Sequence, residues 1–294
     1  MMQRQKSYED DGKGVLYIVP TPIGNLDDIT FRSLQTLKEV ALILAEDTRH
    51  TQKLLNHFDI KNSLLSYHEH NKEKRTTQIL ERLKNGEQLA LVSDAGMPAI
   101  SDPGNDLVRH LIAEGIRVIV LPGANAAIGA VVGSGLSTSE FVFYGFLPRK
   151  KQEKQSELKR LGRYRATIIL YESPYRVKET LQQIHKELGN RNIAIAREIT
   201  KVHEEFIRGK VEDVVKGLEK ETIKGECCIV IEGSAEEIES DTLWWATLSI
   251  AEHVDYYEEK EGTTHKAALK KVAVDRNMSR REIYNELHIK PKNE

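Results

Sequence analysis

Short apolar runs alternate with amphipathic helical patterns along the first part of the chain, and this alternation restricts the fold more than any other feature. The runs that predict β-strands are 15–19, 41–45, 64–68, 89–93 and 117–121. The helical patterns between them are 30–38, 48–58, 76–83 and 105–113. Strands that alternate with helices form a mostly parallel sheet with helices on both faces. We therefore predict an N-terminal α/β domain over residues 14–123, preceded by a polar, disordered tail over residues 1–13.

A second series of strand-like runs follows at closer spacing. These runs are 141–144, 167–171, 193–196, 205–208 and 227–231. Ser173 and Pro174 predict the N-cap and first turn of a helix. The apolar stripe of that helix would consist of Val177, Leu181, Ile184 and Leu188. Because these strands are closer together, a mixed sheet is favoured, and we predict a second α/β domain over residues 124–236.

The last part of the chain differs in pattern and in charge. After an acidic linker at 235–241 helical patterns dominate, and Ser279 with Glu282 forms the signature of a capping box. Residues 264–292 carry eight Lys and Arg against three Asp and Glu, although the whole chain has a net charge of −2. We predict a small helical C-terminal appendage over residues 237–294 that is basic and resembles a helix-turn-helix.

Unusual loops follow the strands of the first predicted sheet. They are VPTPIGNLDD, AEDTRH, SDAGMPAISDPG and LPGANAA, which begin at residues 19, 45, 93 and 121. Ligands of α/β proteins bind beyond the carboxyl ends of the parallel strands, where these loops lie together. The third loop combines two Gly, two Pro and two Asp, so its backbone is stiff and lets a ligand approach closely. We interpret this edge of the sheet as a ligand site.

Several other kinds of site find no support in the sequence. Neither a dinucleotide-binding fingerprint nor a phosphate-binding Walker motif is present. Cys227 and Cys228 lie inside an apolar run and predict core packing. We interpret His68, Glu69 and His70 as a solvated strand end, where successive side chains alternate between faces, and expect no metal site. No apolar run approaches the roughly 18 residues of a membrane helix, and we expect a cytoplasmic protein without a membrane partner.

A basic segment lies between the two series of strands. Residues 149–165 carry eight Lys and Arg against two Asp and Glu and directly follow the small-residue loop Gly145–Pro148. Such a segment is either the solvated face of a helix or a contact with the phosphates of a nucleic acid. From these patterns alone, the chain is a two-domain α/β protein that binds a nucleotide-like ligand and could hold a polyanion.

Seven sequence blocks, in order, carry a family resemblance. They are TPIGNLDDIT, AEDTRHTQKLL, LVSDAGMPAISDPG, VIVLPGANAA, FYGFLPRK, YESPYR and AREITKVHEEF. The set resembles the 16S ribosomal RNA cytidine-2′-O-methyltransferases of the tetrapyrrole methylase superfamily, over about residues 15–233. Other branches of that superfamily methylate tetrapyrroles or make diphthine, and the basic C-terminal region favours the RNA enzymes. The sequence departs from the family at Met97 and Ala99, where Thr and Gly are more common, and at Ala124-Asn125, where Pro-Ser is more common.

The resemblance implies two α/β domains of tetrapyrrole-methylase type with an interdomain cleft that binds S-adenosyl-L-methionine (S-adenosylmethionine). Carried over block by block, the cofactor contacts would be Gly24, Asn25, Asp94, Ala95, Gly96, Met97, Asn125, Ala126, Tyr171, Ala196, Gly225 and Glu226. Asp94 would hold the amino-acid or ribose end of the cofactor. The reaction would be an in-line displacement by a ribose 2′-oxygen that needs no metal.

The resemblance also implies a general base, a substrate and an assembly. The candidate bases are Glu46, Asp47 and Asp102. The RNA contacts would come from Arg49, Arg149, Lys150, Lys151, Lys270, Lys271, Arg280 and Arg281. The implied partner is 16S rRNA or the small ribosomal subunit, and a homodimer is expected by analogy with the superfamily.

Overall fold

The computed structural model describes residues 4–8, 12–235, 245, 248–276 and 278–288. The chain divides into two compact units, Met1–Ser234 and Ala235–Glu294. The first unit holds two sheets and the second holds helices. This agrees with the predicted architecture, while the predicted boundaries at 123 and 236 stay a prediction.

The first sheet is parallel throughout and has the strand order β3-β2-β4-β1-β5. Its strands are β1 (Val15–Ile18), β2 (Leu42–Ala45), β3 (Leu64–Ser66), β4 (Leu89–Val92) and β5 (Arg117–Val120). Its helices are α1 (Phe31–Glu39), α2 (Thr48–His57), α3 (Lys72–Lys84) and α4 (Asn105–Ala113). The predicted elements of this half are confirmed, with boundaries that shift by a few residues.

Helices cover both faces of this sheet, so its strands are apolar on both sides. Leu16 and Ile18 of β1 pack into one core with Leu107 of α4, whereas Val15 packs on the opposite face with Leu37 of α1. This two-sided burial is the reason that the parallel strands are continuous apolar runs. Gln5 exchanges two hydrogen bonds with the backbone of Val118 on β5, at 2.9 Å each, so this part of the predicted disordered tail contacts the fold.

The second sheet is mixed, as predicted, and has the order β6-β7-β10-β8-β9. Its strands are β6 (Phe141–Phe146), β7 (Thr167–Glu172), β8 (Asn192–Arg197), β9 (Glu205–Lys210) and β10 (Cys227–Ile231). β6 and β7 are parallel, whereas β10 is antiparallel to both β7 and β8. The start of β10 therefore lies beside the ends of β7 and β8, at the same edge of the sheet.

Four helices pack on the second sheet. They are α5 (Ala126–Ser134), α6 (Lys151–Leu161), α7 (Val177–Leu188) and α8 (Val211–Leu218). α5 covers one face, where Ala130 and Val131 meet Ile169 and Val230, and the other three helices cover the opposite face. One prediction is wrong: α7 begins at Val177 and not after an N-cap at Ser173. The residues from Ser173 to Arg176 form a turn that the backbone N–H of Arg176 closes by donating to Ser173 O at 2.9 Å.

The second unit contains α9 (Ile250–Glu261), α10 (His265–Asp275) and α11 (Arg280–His288) around one small core. The predicted capping box is confirmed, since Ser279 N–H donates to Glu282 Oε2 at 2.7 Å and Glu282 N–H donates to Ser279 Oγ at 3.2 Å. A second capping box, Ser249 with Glu252, begins α9. Part of the predicted acidic linker and Asn277 of the predicted turn lie outside the described residues.

Candidate functional site

A cavity of about 510 Å³ lies where loops of the first sheet meet the edge of the second. The first half lines it with Ile23, Glu46, Asp94, Ala95, Gly96, Met97, Ile100, Ser101 and Asp102. The second half lines it with Asn125, Ala126, Phe146, Tyr171, Glu172, Ser173, Pro174, Ala196, Ile199, Glu226, Cys227 and Cys228. The structure thus brings the carboxyl ends of strands of the first sheet, where parallel sheets bind ligands, to the edge of the second sheet at which β6, β7 and β8 end and β10 begins.

The loop after β4 is held by hydrogen bonds to Thr21 of the loop after β1. Thr21 and Gly96 exchange two N–H···O=C hydrogen bonds of 3.0 Å, and the Thr21 hydroxyl donates to Ser93 O at 3.1 Å. Gly96 has φ +81°, a conformation that favours glycine. Ala99 and Ser101 also have positive φ, +68° and +61°, which side chains disfavour. The loop is therefore a strained segment that forms one wall of the cavity.

Three carboxylates of the first half face the cavity together. They belong to Glu46 after β2 and to Asp94 and Asp102 of the loop after β4. Burial, with the nearby negative charges of Glu46 and Asp94, raises the pKa of Asp102 to about 7. Burial and the charge of Asp94 also raise the pKa of Glu46. The cluster therefore favours a bound proton or a positively charged ligand.

Asp47, another predicted base, has a different environment. It does not line the cavity; it caps α2 by accepting from Arg49 N–H at 2.8 Å. The Arg49 guanidinium binds the same carboxylate through Nη2 at 2.7 Å, and these hydrogen bonds hold the pKa of Asp47 well below its usual range. The backbone N–H of Asp47 donates to Asp94 Oδ1 at 3.1 Å. This geometry argues against Asp47 as the base and makes it a helix cap with an ion pair.

Three of the predicted cofactor contacts do not line the cavity. Asn25 accepts from Asp27 N–H at 3.1 Å and caps a short 3₁₀ turn. Gly24 leaves room for Lys201, whose Cγ would lie 2.3 Å from a Cβ at this position. Gly225, with φ +82°, leaves room in the same way for the carboxylate of Glu198, at 2.4 Å. The two glycines make room for side chains that support the cavity wall. For Gly24, Asn25 and Gly225, the geometry therefore gives no support for a direct cofactor contact.

Lys201 of the second half contacts Gly24 of the first half, and no pattern in the sequence predicted this contact. Its Nζ donates to Glu198 Oε1 at 2.9 Å and to Glu226 Oε2 at 3.0 Å, while its stem packs on Gly24 of the first half. Thr200, its neighbour, donates a hydrogen bond to Asp28 of the first half. We call Glu198, Lys201 and Glu226 the Lys201 clamp. Its only sequence signal was the block AREITKVHEEF, in which Lys201 has no distinctive spacing.

Tyr171 lies on the opposite wall, in the second half. Its ring makes edge contacts with Phe143 at 4.9 Å and with Phe146 at 5.6 Å between ring centroids. Burial raises the pKa of Tyr171 to about 12, and its side chain packs in the same core as Ala127 in the first turn of α5. Asn125 caps the same helix by accepting from Ile128 N–H at 3.1 Å. The predicted residues Tyr171, Asn125 and Ala126 thus meet at the start of α5.

Glu172 is a buried carboxylate of the cavity wall. It accepts hydrogen bonds from the Thr180 hydroxyl at 2.7 Å and from Ser173 N–H at 2.9 Å, and it lies 3.3 Å from Arg176 Nε. Arg176 Nη2 donates in turn to the carbonyls of Leu147 at 3.1 Å and Pro148 at 3.3 Å. YESPYR is therefore the element that holds the segment after β6 against the cavity.

The two cysteines pack as predicted and also reach the cavity. Cys227 belongs to the core on one face of the second sheet and Cys228 to the core on the other. Burial raises the pKa of the Cys227 thiol to about 11 and that of Cys228 to about 12. Both thiols are therefore neutral at physiological pH, which makes them poor nucleophiles.

The predicted RNA contacts fall into separate regions. Arg149, Lys150 and Lys151 are exposed at the start of α6, three to five residues after Phe146 of the cavity wall. Not all of the basic segment is solvated, because Lys154 is 1% exposed and pairs with Glu179 at 3.1 Å. Arg49 is exposed in the first turn of α2 and pairs with Asp47. The other predicted contacts lie in the second unit, where Lys270, Arg280 and Arg281 are exposed and Lys271 pairs with Glu261.

The described residues contain neither a metal-binding cluster nor a membrane-spanning helix. They contain no group of three or more His, Cys, Asp or Glu side chains that could hold a metal ion. Within the same ranges, no helix has the length and apolar character needed to cross a membrane.

The family model for tetrapyrrole (corrin/porphyrin) methylases matches residues 15–215. A relative from Halalkalibacterium halodurans is 52% identical over 98% of this chain and 99% of its own length. A relative from Bacillus subtilis is 51% identical over 99% of this chain and all of its own length. Both relatives bear the name ribosomal RNA small subunit methyltransferase I.

Solved structures agree in fold. Cobalt precorrin-4 methyltransferase, a cobalamin biosynthetic enzyme, superposes with a TM-score of 0.56 at 21% identity and covers 74% of this chain and 94% of its own. Uroporphyrin-III C-methyltransferase from Thermus thermophilus, solved with S-adenosylhomocysteine, gives a TM-score of 0.52 at 18% identity over 74% of this chain and 97% of its own. The chain therefore belongs to the tetrapyrrole methylase family and, within it, to the group of proteins named ribosomal RNA small subunit methyltransferase I.

Proposed function

We propose that the protein methylates a cytidine ribose 2′-oxygen of 16S rRNA with S-adenosylmethionine as methyl donor. The observation that carries this proposal is the full-length identity of 52% to a protein named ribosomal RNA small subunit methyltransferase I. The cytidine and its 2′-oxygen come from the resemblance of the seven blocks to the cytidine-2′-O-methyltransferases. The protein would then act in the cytoplasm, on 16S rRNA or on the small ribosomal subunit.

The cavity fits S-adenosylmethionine in size and in charge. Its volume of about 510 Å³ lies within the usual range of ligand sites. The ligand would be held by Asp94, Ala95, Gly96, Met97, Asn125, Ala126, Tyr171, Ala196 and Glu226, all of which line the cavity. When bound, S-adenosylmethionine supplies an electrophilic methyl group on a positively charged sulfur. The carboxylates of Glu46, Asp94 and Asp102 attract such a cation.

Asp102 is the best-placed general base of the three candidates. It lines the cavity, and its pKa of about 7 means that about half of the molecules carry the carboxylate at neutral pH. A base with a pKa near the working pH is the most effective at accepting a hydroxyl proton during reaction. The 2′-oxygen would form its bond to the methyl carbon as the carbon–sulfur bond breaks, and Asp102 would take the proton. Glu46 would keep the pKa of Asp102 high by its charge.

Exposed cations beside the cavity would position the RNA. Arg149, Lys150 and Lys151 follow the cavity wall directly and would bind phosphates, as would Arg49 in the first turn of α2. Lys270, Lys271, Arg280 and Arg281 of the second unit would contribute a further RNA contact. We also expect a homodimer, which the exposed Ile128 and Val132 on α5 support.

The test is transfer of labelled methyl groups. Purified protein is incubated with tritiated S-adenosylmethionine and small ribosomal subunits from cells that lack this gene, or with naked 16S rRNA from the same cells. We expect label on one cytidine ribose, which alkaline hydrolysis and primer extension locate. A parallel reaction with a reduced tetrapyrrole tests the chemistry of the structural neighbours. Label on the tetrapyrrole and none on RNA would contradict the proposal.

A further inference from the structure

Phe146 is an exposed aromatic side chain on the wall of the cavity. It is the last residue of β6, it lines the cavity, and it is 56% exposed. One side of its ring is supported by an edge contact with Tyr171, at 5.6 Å between centroids, and Tyr171 is supported in turn by Phe143 at 4.9 Å. The three rings form a series that begins in the core and ends in solvent at the cavity.

The backbone on both sides of Phe146 is fixed. A bulge between Phe143 and Gly145 interrupts the register of β6, and Gly145 has φ +82°. A Cβ on Gly145 would lie 3.0 Å from Ser101 Oγ, so the end of β6 approaches the strained loop after β4 closely. On the other side Leu147 is buried, and its carbonyl accepts from Arg176. Phe146 is therefore held at the rim by contacts of both halves without being covered.

A recessed methyl donor imposes a requirement on a polynucleotide substrate. The 2′-oxygen must come within roughly 3–3.5 Å of the methyl carbon, so the target nucleotide has to leave its helical stack to reach the cavity. Unstacking a nucleotide costs a few kcal/mol, and enzymes offset this cost by stacking the base on aromatic side chains. Stacking on one aromatic ring contributes about 1–3 kcal/mol per base. An uncovered ring at the rim meets this requirement.

We propose that Phe146 is the stacking platform for the base of the target nucleotide, which makes the rim of the cavity a nucleobase subsite. This inference rests on the proposed function, because it takes RNA as the substrate. The adjacent Arg149 and Lys150, both exposed, lie three and four residues beyond Phe146, where they bind the flanking phosphates. The ring and the cations together favour a nucleotide, since an apolar partner would gain nothing from the charges.

The same β-strand provides a matched control. Phe141 lies at the opposite end of β6, is 41% exposed and does not line the cavity. The variants Phe146→Leu and Phe141→Leu make the same chemical change at two similarly exposed positions. Phe146→Trp keeps a ring that can stack and tests rescue by the conservative replacement. Calorimetry with S-adenosylhomocysteine reports whether the cofactor subsite is intact in each variant.

The measured quantity is kcat/KM for methylation of small ribosomal subunits that lack the modification. We expect Phe146→Leu to lower it by about 5- to 150-fold, the equivalent of the stacking energy of one base. Phe146→Trp and Phe141→Leu should stay within threefold of the parent, and the Kd of S-adenosylhomocysteine should stay within twofold for every variant.

The possible outcomes distinguish a failure of this inference from a failure of the proposed function on which it rests. Methylation of RNA by the parent protein, with equal activity of Phe146→Leu and Phe141→Leu, would overturn the stacking role and leave the function standing. A weakened S-adenosylhomocysteine affinity in Phe146→Leu would also overturn it, because the ring would then serve the cofactor. If the parent protein methylates no RNA at all, both the function and the nucleobase subsite are wrong.

Discussion

The first and the second sheet reach the same cavity with different kinds of groups. The first sheet contributes a strained loop and the carboxylates of Glu46, Asp94 and Asp102. The second contributes the aromatic rings of Phe146 and Tyr171 and the carboxylates of Glu172 and Glu226, which pair with Arg176 and Lys201. The carboxylates that raise the pKa of one another therefore lie on the first side, and the second side offers surface and shape. In terms of the proposed function, the first half carries out chemistry and the second half positions the substrate.

The largest effect is expected from removing the charge of the first half. Asp102→Asn should lower kcat for methylation by about 10²–10⁴-fold, because the amide cannot accept the hydroxyl proton. In the parent protein, protonation of Asp102 removes the base. Its pKa is about 7 without a bound cation and lower with one, so activity should fall as the pH drops below 7. The measurement is the pH profile of single-turnover methylation.

The control for this change lies four residues away on α4. Asp106 is exposed, pairs with Lys72 at 2.7 Å and does not line the cavity. Asp106→Asn should keep the activity and the pH profile of the parent. An Asp102→Asn variant with an unchanged profile would remove the base from the first half and leave Glu46 as the candidate.

A smaller effect is expected from opening the Lys201 clamp of the second half. Lys201→Met keeps the stem that packs on Gly24 but leaves Glu198 and Glu226 without their cation. Both pairs are partly exposed to solvent, so we expect the Kd of S-adenosylhomocysteine to rise by about tenfold, or ~1.4 kcal/mol. Calorimetry measures the Kd, and Lys201→Arg should restore part of the affinity.

Lys216 gives the comparison for the clamp. It pairs with Glu212 on α8 at 2.7 Å, neither residue lines the cavity, and its replacement by Met should not change the Kd. Equal affinities of Lys201→Met and Lys216→Met would mean that the wall of the second half keeps its shape without the clamp.

The smallest effect is expected from relieving the backbone strain at Ala99 in the first half. Ala99 has φ +68°, and glycine adopts this conformation without the penalty of a Cβ. The greater freedom of glycine in the unfolded chain offsets part of this gain, so Ala99→Gly should raise the free energy of unfolding by about 0.5 kcal/mol. Thermal denaturation measures the change. Ala95→Gly is the control in the same loop: its φ is not positive, and it should not gain stability.

Much of this organisation can be predicted from the sequence. The five parallel strands, the mixed second sheet and the capping box at Ser279 follow from periodicity and local chemistry, which act over a few residues. The loop after β4 was recognisable as a ligand wall because Gly, Pro and Asp concentrate there. Local patterns indicate which segments end at the same edge of a sheet, and this is enough to locate a cavity.

The remaining features depend on contacts between distant segments. Lys201 meets Gly24 across the cleft, and no periodicity links positions 24 and 201. The turn from Ser173 to Arg176 has the sequence of a helix start, but its Arg176 binds the carbonyls of Leu147 and Pro148, which are distant in sequence, and the helix begins only after it. Asp47 has the residue type of a base, whereas its neighbour Arg49 makes it a helix cap. Competition among partners in the folded chain decides such cases.

The cluster of Glu46, Asp94 and Asp102 has a consequence for the thermodynamics of ligand binding. Near neutral pH both the protonated and the ionised form of Asp102 are populated, because burial and the negative charges of Glu46 and Asp94 raise its pKa. A cation that enters the cavity favours the ionised form and displaces the proton into the solvent. Binding of a cationic ligand is therefore proton-linked: its affinity rises with pH around 7, and its heat depends on the ionisation enthalpy of the buffer. S-adenosylhomocysteine, the product of the proposed reaction, lacks the charge on sulfur and would bind without the same proton release. The pH would therefore determine how strongly the cavity prefers S-adenosylmethionine to S-adenosylhomocysteine.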